Sequence, residues 1–146
     1  MGILDGSPGE APRMGSFDEI TVDECWRLLA SKPVGRVGYT GSRGPQVLPV
    51  NHVVHDGTIV FRCAAYSQLA RDVQGARVAF QVDQVDDASR TGWSVLVVGS
   101  AELVHDPDEL VELWTGAAAH PWAPGTRTVY VRITAHEVTG RQVTAT

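Results

Sequence analysis

The chain has 146 residues, is 43% hydrophobic and 20% charged, and carries a net charge of −5 with a pI near 5.4. That length suits one domain with a real core, and the acidic balance offers no basic field to draw a nucleic-acid backbone. Two well-separated cysteines, Cys25 and Cys63, form no CxxC pair, which indicates neither a zinc site nor a disulfide framework and suits a reducing cytoplasm.

Residues 1–16, "MGILDGSPGEAPRMGS", are rich in Gly and Pro and lack a basic start followed by an apolar run. They read as a flexible tail, not as a secretory signal. No apolar stretch approaches the roughly 18 residues of a membrane span, so a soluble protein is expected. In "ITVDECWRLLASKP" Thr21 is placed as an N-cap with Glu24 three residues later, a capping box in which each side chain satisfies a free amide. Val22, Cys25, Trp26 and Leu29 recur at helical spacing, which predicts a helix from about Thr21 to Ser31, ended by Pro33.

From "GRVGYTG" onward the pattern becomes short strands with turn signals. Asp56-Gly57 separates "VLPVNHVV" from "TIVFRC" and supplies the positive φ values of a tight hairpin turn. "RVAFQVDQV" (Arg77 to Val85) and "GWSVLVVGSAELV" (Gly92 to Val104) are further strands, with Gly99 placed for a bend or bulge in the longer one. "DPDELVELWTGAAA" predicts a second helix capped by Asp106, with Pro107 at its first position, Glu109 at its third, and Leu110, Leu113 and Trp114 on one face. "TVYVRITAHEVTG" (Thr128 to Gly140) alternates Val129, Val131 and Ile133 with Tyr130 and Arg132, as a half-buried strand does. Five or six strands without regular βαβ alternation favour a small antiparallel barrel with attached helices.

The segment "FRCAAYSQLARDV" joins the hairpin to a short helix. Ser67 is placed to cap that helix, whose first-turn amides could bind an anion, and Arg62 offers a guanidinium suited to bidentate phosphate contact. On residues alone the plainer reading is favoured, in which Ser67 caps its helix and nothing more and Arg62 pairs with a surface carboxylate. Pro49 in "LPVN" cannot donate to a ladder; it marks an irregularity where backbone groups face a ligand, or it protects an edge. Of the histidines (His52, His55, His105, His120 and His136), His52 and His55 fall on opposite faces of one strand and cannot chelate one ion together. No metal site is expected.

The order and spacing of "GRVG", "VLPVN", "HDGTIVFR", "GWSVLVVG" and "PWAPGTR…VRI…VTGR" resemble the pyridoxamine 5′-phosphate oxidase-like flavoproteins, in particular an actinobacterial branch. The likeness runs from about Phe17 to Val143. It implies a mainly β fold, an antiparallel Greek-key split β-barrel with flanking helices over residues 17–146. It also implies a cytoplasmic homodimer with FMN in the groove between subunits. Carried over, Pro49, Val50 and Asn51 lie along the isoalloxazine, while Arg62, Cys63, Ser67, Gln68 and Leu69 grip the ribityl phosphate. Trp93 and Ser94 match a strand beside the cofactor, and Trp122 and Arg127 match a late loop reaching the partner's site. Both tryptophans are equally expected as packing anchors.

One departure bears on affinity. The branch often carries "FRTAxGxKL" where this chain has "FRCAAYSQL", with Cys63 for a hydroxyl and Gln68 for a lysine. Loss of that cation weakens a phosphate contact by roughly 1–3 kcal/mol. The resemblance implies hydride exchange between flavin and a small molecule or NAD(P)H, with no side chain required as a general acid or base. True pyridoxamine phosphate oxidase activity is not expected, because the basic C-terminal extension of those enzymes is lacking. Two alternatives stand beside it: an F420-dependent reductase using Arg71 or Arg127 for the longer anionic tail, and a flavin-binding or sensing dimer without turnover.

Overall fold

The computed structural model describes residues 16–116 and 128–144. Seven strands and three helices follow in the order β1 (Ser16–Ile20), α1 (Val22–Ala30), β2 (Val34–Gly41), β3 (Gly44–His55), β4 (Thr58–Ala64), α2 (Gln68–Val73), β5 (Arg77–Asp86), β6 (Thr91–Leu103), α3 (Pro107–Thr115) and β7 (Thr128–Thr144). The strand count exceeds the five or six expected. The tail expected over residues 1–16 lies outside the described residues except for Ser16, which opens β1.

Every strand pairing is antiparallel, and the order β7-β4-β3-β2-β5-β6 closes on itself because β6 also pairs with β7. The closed ring is a split β-barrel. Its closing strand has two partners along one edge: residues 128–133 pair with β4 and residues 140–144 with β1. The other edge runs beside β6 from Val131 to Val143.

Alternation along the strands sends Val37, Ile59, Phe61, Phe80, Val82, Val95, Val97, Val131 and Ile133 into one buried cluster, the barrel interior. Cys25, Leu28 and Leu29 of α1 and Leu69 and Val73 of α2 join it. A second buried cluster forms on the outer face, where Leu113 of α3 covers Val60, Val104 and Tyr130. β7 is therefore buried on both faces over this stretch, and Tyr130, expected on an exposed face opposite Val129 and Val131, is only 4% exposed.

Local signals act largely as anticipated. Thr21 caps α1 by accepting from the Glu24 amide, but the Glu24 carboxylate turns to the Arg27 guanidinium instead of closing the box. The Asp56 and Gly57 φ values are 48° and 72°, the two positive angles of a type I′ turn. Gly99 lies at a register shift between β6 and β7, and a Cβ there would come 2.3 Å from the Thr134 carbonyl oxygen, so only glycine allows the strands to close at this bulge. Asp106 caps α3 through the Asp108 amide, and Leu113 is buried, whereas Trp114, placed by spacing on the same face, is 44% exposed.

Candidate functional site

The barrel opens at a fork between β3 and β4. Their pairing covers only His52 to His55 against Thr58 to Phe61. Beyond it, residues 44–51 of β3 stay with β2, while Arg62, Cys63 and Ala64 of β4 keep only their pairing with β7, which runs from Ile59 to Ala64. Pro49 therefore sits on the stretch of β3 whose second edge lacks β4, and its missing N–H breaks no ladder there. α2 follows directly where β4 leaves.

Adjacent residues at the fork face opposite sides. Asn51 and Arg62 are on the outer face, where they line a cleft of about 200 Å³ with Pro33, Val53, Val60 and Tyr130. Cys63, Ser67, Gln68 and Leu69 are on the inner side, lining a second cleft of about 270 Å³ with Tyr39, Arg43 and Asp72. The structure thus divides the expected phosphate segment between two sides of one fork. Val50 points into the core and is 8% exposed, while Pro49 and Asn51 are exposed. Trp93, half-buried, packs against the interior cluster, and neither it nor Ser94 lines either cleft. Trp122 and Arg127 lie outside the described residues.

Two buried polar side chains at the fork have unmet hydrogen-bonding capacity, His52 directed inward against Phe80 and Tyr130 on the outer face. His52, 6% exposed, lies with Nε2 2.8 Å from the Leu29 carbonyl oxygen. A carbonyl only accepts, so Nε2 carries the proton and Nδ1 is an acceptor, buried without a partner among the described residues. Burial lowers the His52 pKa, against the opposing Leu29 hydrogen bond, and keeps the imidazole neutral. The Tyr130 hydroxyl is likewise buried without a hydrogen-bond partner, and burial raises its pKa despite the pull of Arg62. One guanidinium and one phenol donor meet in a small space on the outer side, a lining able to seat a polar anion.

The inner cleft is arranged differently. Ser67 Oγ accepts from the Ala70 amide at 3.1 Å and donates to the Ala64 carbonyl at 2.8 Å, so the cap takes one of the amides an anion could have used. Gln68 Nε2 lies 2.9 Å from both Asp72 carboxylate oxygens and 3.2 Å from Ser42 Oγ. Arg71, which the F420 alternative invoked, donates to the Tyr66 carbonyl and to Gln68 Oε1. Burial raises the Cys63 pKa although a Ser67 hydrogen bond opposes the shift, so Cys63 is a thiol near neutral pH. Arg43, exposed at the mouth, is a cation that motif reading passed over because it sits on the β2–β3 turn, far in sequence from the phosphate segment.

A family model described as pyridoxamine 5′-phosphate oxidase matches residues 21–142. The chain belongs to the pyridoxamine 5′-phosphate oxidase family. It is 36% identical over 132 residues to an uncharacterized protein of Mycobacterium tuberculosis, covering 87% of this chain and 86% of that one. Among solved structures it is similar to an FAD binding protein from Mycobacterium smegmatis, with a TM-score of 0.78 and 32% identity over 88% of this chain and all of that one. It shares the fold of an FAD-binding protein from Mesorhizobium loti, with a TM-score of 0.73 and 24% identity over 86% of this chain and 97% of that one. No helix among the described residues is long and apolar enough to cross a membrane.

Proposed function

We propose that this member of the pyridoxamine 5′-phosphate oxidase family binds a flavin at the β3–β4 fork and serves as an oxidoreductase toward a small molecule. The observation that carries the proposal is the fork itself, where Arg62 and Tyr130 present a cation and an unmet phenol hydroxyl on a chain alike over nearly its full length to an FAD binding protein. Bound there, a flavin supplies hydride transfer. The chain's own residues bind and orient it. Arg62 faces anionic oxygens, Tyr130 donates, and the exposed backbone of Pro49 to Asn51 offers carbonyls and amides along β3. Arg43 stands where it can replace the cation that Gln68 lacks.

A second copy of the chain completes the site. Its contact is the outer face where Val47, Gly38, Ala79 and Val98 stand in register across four strands, with Val47 67% exposed. The Gln68–Asp72 contact favours one other reading, a flavin-binding or sensing dimer without turnover, because it leaves the inner cleft with an uncompensated carboxylate.

The test is an absorbance spectrum of untagged protein followed by titration with FMN, FAD and F420, then NAD(P)H reduction. Flavin binding that Arg62→Ala weakens at least tenfold, followed by reduction, is the expected result. F420 binding alone moves the reading to a deazaflavin reductase. Binding without reduction moves it to the sensing module, and indifference to all three overturns the site.

A further inference from the structure

The β3–β4 hairpin carries a second constellation on the side away from the fork. His55 ends β3, Asp56 is the first residue of the type I′ turn, and Glu109 and Glu112 lie one turn apart on α3. His55 Nε2 lies 3.5 Å from Asp56 Oδ2, 3.4 Å from Glu112 Oε2 and 3.7 Å from Glu109 Oε2. That nitrogen is shielded from solvent and has no hydrogen-bond partner among the described residues. Three carboxylates thus surround one imidazole nitrogen at distances longer than good N–H···O bonds of about 2.7–3.2 Å.

The spacing matches a different arrangement. In a tetrahedral zinc site with bonds of about 2.0–2.1 Å, neighbouring donor atoms stand about 3.3–3.4 Å apart. The donor atoms of His55, Asp56 and Glu112 all fall within 4.8 Å of one another, and two of their three separations are 3.4 and 3.5 Å. Charge agrees: Asp56 and Glu112 together balance a divalent ion beside a neutral imidazole. Glu109 is held by the Arg132 guanidinium through its other oxygen, which fixes its carboxylate against the cluster. Asp56, 83% exposed at its side chain, leaves an entry path from solvent.

We propose that His55, Asp56 and Glu112 form a divalent transition-metal site of the zinc class, with solvent completing the shell, at the seam between the hairpin tip and α3. One nitrogen with two carboxylate oxygens suits Zn²⁺ ahead of Mg²⁺ or Ca²⁺, which prefer all-oxygen shells. Bound metal fastens α3 to the hairpin. Because α3 covers Val60 and Tyr130, it also firms the wall of the outer cleft.

Untagged full-length protein, stripped with chelator, is titrated calorimetrically with Zn²⁺, Mn²⁺, Mg²⁺ and Ca²⁺ while thermal unfolding is followed. One Zn²⁺ per chain with a raised Tm is expected, with at least tenfold weaker binding in His55→Ala and in the near-isosteric Glu112→Gln, and no change in Glu24→Gln. The site is overturned by the absence of stoichiometric Zn²⁺ binding, or by equal Zn²⁺ affinity in the wild type and both site variants. Calcium binding as tight as zinc and insensitive to His55→Ala also overturns it, leaving an acidic surface patch.

Discussion

The neutral, buried His52 makes stability depend on pH in a defined direction. Its usual value near 6.5 is lowered in the fold by burial. Protonation would add an N–H at Nδ1, which has no acceptor among the described residues, beside the Phe80 ring at 4.9 Å. Above about pH 6.5 both folded and unfolded chains hold the imidazole neutral, and the full stability is present. Below it the unfolded chain takes a proton that the folded chain resists. Stability then falls by up to about 1.4 kcal/mol per pH unit until the lowered folded-state value is reached. Urea unfolding of wild type and His52→Gln from pH 8 to pH 5 isolates the term, since carboxylates contribute equally to both. Glutamine can still donate to the Leu29 carbonyl and does not titrate. The wild-type curve should drop more steeply below pH 6.5 than the variant's; parallel curves refute the assignment of a neutral, unpartnered Nδ1.

Three further outcomes follow from the fork and the bulge. Tyr130→Phe removes a buried hydroxyl without a partner among the described residues and should raise stability by about 1 kcal/mol while weakening flavin binding severalfold; urea melts and fluorescence titration read the two effects. Gln68→Lys should tighten FMN by no more than about threefold, because Asp72 neutralises the new ammonium. The double change with Asp72→Asn should gain about tenfold, and the reverse order would sink the argument. Gly99→Ala drives a methyl group into the Thr134 carbonyl and should cost about 2–3 kcal/mol by thermal or urea unfolding.

Elements governed by neighbours in sequence were legible there: the Thr21 and Asp106 caps, the Asp56-Gly57 turn, and the glycine bulge in β6. β1 was not. Its residues Ser16–Ile20 become a strand by pairing with Gly140 to Thr144, more than a hundred residues away, and no local alternation announces that. Tyr130 was misplaced for a similar reason, because α3 covers a face that alternation alone assigns to solvent. The site shows the opposite case. Period-two geometry already required Arg62 and Cys63 to face apart, yet motif likeness grouped them in one pocket. Glu24 and Glu109 share a lesson: each stood at a capping position and each was drawn away by an arginine, Arg27 and Arg132.

The closing strand β7, shared among β1, β4 and β6, has a consequence for how the chain is made. As translation proceeds, β4 and β6 emerge with hydrogen-bonding edges that no earlier segment among the described residues covers, since both are sealed by residues 128–144. Until that strand arrives, the nascent barrel is an open sheet liable to pair with another copy. Ring closure is therefore a late event built on long sequence separations, the kind of topology that folds slowly.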